Sequence, residues 1–462
     1  MLIGAVGHGC YSVVAGSTHL VIDPLFTPTF LGGTVEPYPR RTVQLDRLPP
    51  VDAVFLSHSH AGHLEPESLA ALPRTVPVLA PPDPTIRFVL ERMGFTGHTE
   101  VRPGSAIDIP GGRLSFVGSG TGQGYAGIMV QDGDGSLLYL GDRGDLDPGP
   151  ALRAAADGVD LAIVSHPSDY HSFLQHSTWD GGAHDGDTHR AWLARSLDLA
   201  ASLGAGLTVP GTTGNRYLDP AAWLNRYVFP MRPAEFVDLL ARVAPDRPGT
   251  MLDPGDAVDV TSGKVTVLRD VLPFVRRVPH ADDRGLDPTD PPGALVDDDP
   301  EGVGAEALTA RCRAYLYTSL VPWATARKGS YGRELRTYAS LRTAYRVTLH
   351  LPGGALHTFR LRFTGEDIDV TEPPAPPPLG YGEVHLRIAA SVLDRWTRDV
   401  IPYFVAAAGC RRAGAPHAVG RLSDGSVSVR GVPVRDLVTM HLTAHVDRYH
   451  RWLAGEVDRH LR

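Results

Sequence analysis

The stretch Val54-Phe55-Leu56-Ser57-His58-Ser59-His60-Ala61-Gly62-His63-Leu64 constrains this chain more than any other. A short apolar run, read as a buried strand, passes directly into three histidines at i, i+2 and i+5. Alternation in an extended segment puts His58 and His60 on one side. A turn after His60 lets His63 swing back toward the same point. Imidazoles that converge where a strand ends suit Zn²⁺ or Fe²⁺. The spacing therefore predicts a metal site at the mouth of a layered fold.

The flanking sequence carries the same message. Gly7-His8-Gly9-Cys10-Tyr11-Ser12-Val13-Val14 and His19-Leu20-Val21-Ile22-Asp23-Pro24 read as an opening hairpin that ends in an Asp-Pro turn. Ser136-Leu137-Leu138-Tyr139-Leu140-Gly141-Asp142-Arg143-Gly144 reads as a strand that delivers an aspartate at a tight turn. Together with His-Ser-His-Ala-Gly-His, these segments resemble the metallo-β-lactamase fold, whose signature is His-x-His-x-Asp-His. Gly62 stands where that signature has aspartate. The hairpin and Asp-Pro turn are similar to the lactonase-like branch. Leu207-Thr208-Val209-Pro210-Gly211-Thr212-Thr213-Gly214 and Pro254-Gly255-Asp256-Ala257-Val258-Asp259 look most like the CMP-N-acetylneuraminate hydroxylase branch. The resemblance covers residues 1 to 265 and implies an αββα sandwich.

The resemblance also implies a ligand set. One metal takes the first two motif histidines and a later histidine. A second takes the motif aspartate, the last motif histidine and a final histidine, and an aspartate bridges the two. Position by position, His58, His60, His63 and Asp142 are present. The motif aspartate is replaced by Gly62, Phe116 to Gly122 supplies no later histidine, and Val209 to Thr212 supplies no final one. One divalent ion, zinc or iron, on His58, His60 and Asp142 is the expectation, since two imidazoles and a carboxylate suit either metal. His63 is then a fourth ligand or an acid/base group, with His63 and Asp142 as the catalytic pair. His166 and His171 are further ligand candidates, because Asp160-Leu161-Ala162-Ile163-Val164-Ser165-His166 is a second buried strand that stops at a histidine.

Composition narrows the class. The chain has 462 residues, 42% hydrophobic and 21% charged, as in ordinary globular proteins with more than one domain. Its formal net charge of −8 leaves no basic excess for nucleic acid. No apolar run is long enough for a membrane span, and the N-terminus lacks the charged start of a signal peptide. Cys10, Cys312 and Cys410 are odd in number and far apart, so a reducing cytoplasm is the expected setting. No Cys-x-His with Cys-x-x-His array for a Rieske cluster is present, although animal members of the hydroxylase branch carry one.

Beyond residue 265 the pattern changes. Asp, Pro and Gly cluster from Asp282 to Gly304, so residues 266 to 305 read as a linker or long loop. Residues 306 to 462 read as a smaller α+β domain, vaguely similar to sterol-carrier-like modules. Tyr345 to Leu351 and Thr358 to Phe363 alternate around Pro352-Gly353-Gly354 as a hairpin, and helices are expected near 391 to 405 and 434 to 461. His441 and His445 stand i, i+4 within the last of these, a spacing that can hold a metal, but Leu442 occupies the place of a catalytic glutamate. Three functions fit these observations. The first is a metal-dependent hydrolase acting on a small polar metabolite through metal-activated water. The second is a non-haem iron oxygenase, and the third a non-catalytic ligand- or partner-binding protein. A small-molecule substrate is the expected partner, without nucleic acid or membrane, and a homo-oligomer is compatible with all three.

Overall fold

A computed structural model describes residues 1–118, 124–141, 158–166, 186–211, 214–219, 221–227, 233–278, 294–374, 382–414, 417–421, 423–432 and 435–461. Among these residues two sheets stack face to face. The first has eight strands in the order Lys264–Leu268, Ala257–Thr261, Leu2–Gly7, Cys10–Ala15, Thr18–Ile22, Ala53–Phe55, Val78–Ala80 and His98–Glu100. The second has six, from Leu207–Gly211 through Leu161–Ser165, Ser136–Tyr139, Gly127–Asp132 and Gly112–Val117 to Ala106–Ile109.

The layering follows from side-chain alternation. Leu161 and Ile163 point between the sheets with Leu137, Tyr139, Ile128, Phe116, Phe55, Ile22 and Val13. Their strand neighbours Ala162, Val164, Leu138 and Met129 face outward, where Leu197, Leu203, Phe236 and Leu240 cover them. Strands buried on both faces read as continuous apolar runs, which is why these segments show no polar stripe. On the far side of the first sheet, the helices Pro66–Ala70 and Pro84–Met93 add Leu69, Ile86, Val89 and Leu90. The result is the αββα order expected from the sequence.

Local signals set the helix beside the histidine loop. Asp83 caps Pro84–Met93 by accepting from Thr85 N (2.7 Å) and Ile86 N (3.2 Å), Pro84 fixes the first turn, and Gly94 closes it at φ 79°. The same Asp83 accepts from Ser59 Oγ at 2.9 Å, so the helix cap also holds the loop between His58 and His60.

The boundary expected at residue 265 falls inside the strand Lys264–Leu268, which pairs with Ala257–Thr261. Val275–Arg277 then pairs with Arg41–Val43, so the first unit continues through Arg277. The downstream sheet runs Ile368–Thr371, Leu356–Phe363, Ala344–His350, Val384–Ala389, Cys410–Ala413, with the anticipated hairpin at its centre. Its core is Tyr345, Val347, Leu349, Phe359, Leu361, Leu386 and Ile388 against Leu308, Leu316, Leu335 and Leu393.

The final helix departs from expectation. The helix expected over 434 to 461 is two, Leu437–Thr443 and Val446–His460, with His445 in extended conformation between them. His441 and His445 therefore share no helical face, and His441 is held by Tyr315 OH (3.0 Å) beside Trp323. Trp452, Leu453 and Val457 of the last helix join the core around Leu69 and Ile86 of the first unit. His450 stacks on Phe88 at 4.6 Å and bonds Thr85 Oγ1 at 2.9 Å, and Arg92 grips Asp458 through two bonds of 2.8 and 2.7 Å. The C-terminal helix is thus a piece of the first unit's outer layer. Burial of Trp452 and Leu453 anchors it, since an exposed ion pair is worth only about 0.2–1 kcal/mol.

Candidate metal centre

The strand Ala53–Phe55 ends at the edge of the sandwich, and Leu56 and Ser57 carry the chain into the loop. The backbone turns at once, as His63 N and Leu64 N both bond His60 O at 3.0 Å. This turn brings the three histidines together. The ring centres of His58 and His63 are 4.2 Å apart, and those of His58 and His60 are 4.6 Å apart. His58 and His63 are buried, whereas His60 is exposed.

Asp23 organises the buried pair. This fully buried carboxylate sits at φ 44° on the Asp-Pro turn, a conformation that costs a non-glycine residue of the order of 1 kcal/mol. Its Oδ1 accepts from Ser57 N at 2.7 Å. Its Oδ2 accepts from Ser57 Oγ (2.6 Å), Tyr139 OH (2.6 Å) and His63 Nδ1 (2.8 Å). With its own proton given to Asp23, Ser57 Oγ accepts from His58 Nδ1 at 2.9 Å. Both imidazoles thereby carry a proton on Nδ1, which turns Nε2 away from the clamp. A carboxylate behind a histidine is the arrangement that orients metal-binding imidazoles and raises their basicity.

Arg41 supports this floor. Its guanidinium is buried and donates to Thr27 O (2.9 Å) and Leu25 O (2.5 Å), pinning the chain that follows Asp23. Burial lowers its pKa to about 10, so it stays charged at neutral pH. Cys10 lies nearby, and burial pushes its thiol up to about 12, which removes it as a nucleophile.

The exposed side is built differently. Tyr125 lies flat on His58, with ring centres 4.5 Å apart and 18° between planes. Its hydroxyl stands 3.0 Å from His60 Nε2 and 3.2 Å from His60 Nδ1. Tyr125 thus lines the mouth between two motif histidines. It follows the glycine-rich stretch in which the resemblance places a later histidine.

Two of the segments that the resemblance leaves without a ligand are closed. A Cβ at Gly211 would lie 2.4 Å from Ile163 Cγ2, and one at Gly62 would lie 2.5 Å from His8 Nε2. Hydrocarbon fills the first and an imidazole the second. The third, Phe116 to Gly122, lies mostly outside the described residues.

His166 is buried, with Nδ1 bonded to Gly211 O at 3.0 Å and burial lowering its pKa to about 4. Its ring stands 6.0 Å from Phe236 on the outer layer. Among the described residues it has no ring contact with the motif histidines, and its Nε2 has no hydrogen-bond partner. Asp142 and His171 lie outside the described residues.

The donor chemistry fits a divalent ion: two buried imidazoles with Nδ1 engaged and a third beside them. Among the described residues, no group of three or more His, Cys, Asp or Glu side chains is placed so that it could hold a metal ion together. Asp23, Tyr139, His8 and Ser57 all lie within the sequence motifs but carry no role legible there, and Tyr125 lies outside them. The Asp-Pro turn straight after a buried strand was the available signal for Asp23.

The model of the Beta-lactamase superfamily domain matches residues 18–210. A Mycolicibacterium smegmatis protein named for a Rieske 2Fe-2S centre is 26% identical over 160 residues, 32% of this chain and 30% of that protein. The chain thus spans about a third of that relative's length. Among solved structures, CmlA, a diiron β-hydroxylase from Streptomyces venezuelae, is 16% identical with a TM-score of 0.39, covering 58% of this chain and 54% of CmlA. Isothiocyanate hydrolase from Delia radicum gut bacteria is 13% identical with a TM-score of 0.39, covering 57% and 100%. YhfI from Bacillus subtilis, a metallo-β-lactamase fold protein, is 14% identical with a TM-score of 0.38, covering 56% and 99%.

Proposed function

We propose, from the match of residues 18–210 to the Beta-lactamase superfamily domain, that the chain is a metal-dependent enzyme of the metallo-β-lactamase fold. The reading is a hydrolase that acts on a small polar metabolite with zinc or iron held by His58, His60 and His63, and with Asp142 as a further ligand. The observation that carries it is the Asp23 clamp, which puts a proton on Nδ1 of both His58 and His63 at one buried point. Four donors converging on a single carboxylate are a costly arrangement for a surface that only binds a partner.

When bound, the ion would lower the pKa of its water toward about 7 and so supply a nucleophile. The chain's own residues do the rest. Ser57 and Asp23 hold the imidazoles, and their burial keeps bulk water from the Nδ1 side. The Tyr125 hydroxyl, at the open side, is placed to bond a polar group entering past His60. His60, the one exposed imidazole, stands where a proton can pass to solvent.

A second reading, oxygen chemistry at iron, is favoured by the phenol of Tyr125 beside the imidazoles and by the name of the M. smegmatis relative. That relative's Rieske cluster does not carry over, because three scattered cysteines cannot supply its pattern. Labelled oxygen separates the readings. Hydrolysis takes the product oxygen from H₂¹⁸O in the absence of O₂, and oxygenation takes it from ¹⁸O₂. Loss of turnover in His58→Ala is expected in both; full activity in that variant would remove the metal reading altogether.

A further inference from the structure

We propose that Asp83 is the positioning residue of the open half of the site, setting His60 and Tyr125 against each other at the mouth. This rests on the reading of the histidine loop as the site and names what holds its exposed side.

Two stretches of chain meet at the mouth. Ser57 O accepts from Ala126 N at 2.9 Å, which draws residues 57–59 and 124–126 together. Between them Tyr125 rests on the His58 ring and carries its hydroxyl to His60. The Ser57–Ala126 bond ties one end of this pair, and Asp83 closes the other. Its Oδ2 accepts from Ser59 Oγ at 2.9 Å, and the same oxygen lies 2.9 Å from the place a Cβ on Gly124 would take. Ser59 is the residue between His58 and His60, and Gly124 is the residue before Tyr125. One carboxylate oxygen therefore meets the chain neighbours of the imidazoles and of the phenol. Glycine suits position 124 on two counts. At φ 87° the backbone is left-handed, and any side chain there would push Asp83 Oδ2 away from Ser59.

The carboxylate is itself held. Its Oδ1 accepts from Thr85 N at 2.7 Å and Ile86 N at 3.2 Å as the cap of the helix Pro84–Met93. A cap needs one acceptor oxygen on a short side chain, so serine serves as well as aspartate. The second oxygen is the one a cap does not need, and it is the one turned to the mouth. The helix is fixed in turn from its outer face. Thr85 Oγ1 bonds His450 Nε2 at 2.9 Å, and the His450 ring stacks on Phe88 at 4.6 Å. Through Thr85 and Asp83 the C-terminal helix Val446–His460 thereby reaches the mouth, which gives the end of the chain a place in the geometry of the site.

The test uses the full, metal-free chain carrying fluorotyrosine and ¹⁵N-labelled histidine, each ring signal being assigned by deletion of its residue. Asp83→Ser keeps a capping oxygen but is too short to reach Ser59. Ser59→Ala removes the partner and leaves the cap untouched, so it carries the test even where Asp83→Ser folds poorly. Both are expected to shift the Tyr125 and His60 signals in the same way while the His63 signals, set by Asp23, stay in place. Melting temperatures should remain within about 4 °C of the wild type, the effect of one modest hydrogen bond in a domain of this size. The double variant should shift the signals no further than either single one, because both substitutions break one contact. His450→Leu should shift them in the same direction and by less. Wild-type Tyr125 and His60 signals in Asp83→Ser and Ser59→Ala would show that Asp83 only caps its helix and would overturn the proposal. So would equal shifts at His63, which would make the effect a general loosening of the fold. Zinc added to the same samples tests the metalloenzyme reading separately. A wild type that takes up none removes that reading, while the shifts in the metal-free chain still decide the role of Asp83.

Discussion

The two sides of the histidine loop are built on opposite principles. On the inner side, His58 and His63 are buried and tied through Ser57 and Asp23 to Tyr139 on the facing sheet. On the outer side, exposed His60 meets the hydroxyl of Tyr125, which follows the loop after Gly112–Val117. A buried network is fixed by what it costs to break, because each orphaned donor costs about 1–3 kcal/mol, whereas an exposed bond is replaced by water. On the proposed reading, the inner side is the rigid half that would hold an ion, and the outer side the half that would yield to a substrate.

The sharpest way to break this contrast is to remove Asp23. Asp23→Ala removes the carboxylate that accepts from Ser57 N–H, Ser57 O–H and His63 Nδ1–H and leaves Tyr139 O–H with Gly9 O alone, and is expected to destabilise the chain by about 3 kcal/mol or more, with loss of bound zinc. Chemical denaturation and zinc content check both. A variant as stable as the wild type would mean that the clamp is incidental.

A smaller effect is expected from restoring a family-type ligand where hydrocarbon now sits. Gly211→His must displace Ile163 Cγ2 in a packed strand, and should cost about 1–3 kcal/mol without raising metal occupancy. Thermal melting and elemental analysis read the two halves of that statement. Smaller again is Tyr125→Phe. It removes one partly exposed hydroxyl, so stability should fall by about 1 kcal/mol or less and zinc affinity by less than tenfold. A collapse of either would place Tyr125 in the rigid half.

A pH series sharpens the comparison from behind the loop. Burial, reinforced by the Glu456 carboxylate of the C-terminal helix, pushes the Glu65 carboxyl up to about 8. A carboxyl whose folded pKa lies above its usual 4.5 binds protons more tightly folded than unfolded. Its stabilising contribution is complete below pH 4.5 and is lost as pH rises through 8. His166 acts in the other direction: lowered from 6.5 to about 4, its contribution is complete above pH 6.5 and is lost as pH falls through 4. Glu65→Gln should change the slope of the stability profile between pH 4.5 and 8 and leave it unaltered below pH 4.5, as followed by denaturant midpoints. An unaltered slope across that window would put Glu65 in water.

How much of this could be read from sequence depends on the range of the interaction. The strand and loop around His58 were legible because an apolar run and three histidines act within a few residues of each other. The sandwich was legible because its strands alternate inward and outward or are apolar throughout. The Asp23 clamp joins residues 34 to 116 positions apart, and neither end shows a local period. His8 stands 54 positions before Gly62, and only the folded chain shows that one fills the space of the other. The C-terminal helix was legible as a helix, yet its apolar stripe of Trp452, Leu453 and Val457 does not say which unit it covers.

The central claim is that the inner pair holds an ion. It is tested most directly by metal content per chain, by elemental analysis, in freshly purified wild type beside His58→Ala and His60→Ala. The account predicts zinc or iron near one per chain or above in the wild type, a deep loss in His58→Ala and a milder one in His60→Ala. Metal-free wild-type protein, or equal occupancy in all three, would contradict it.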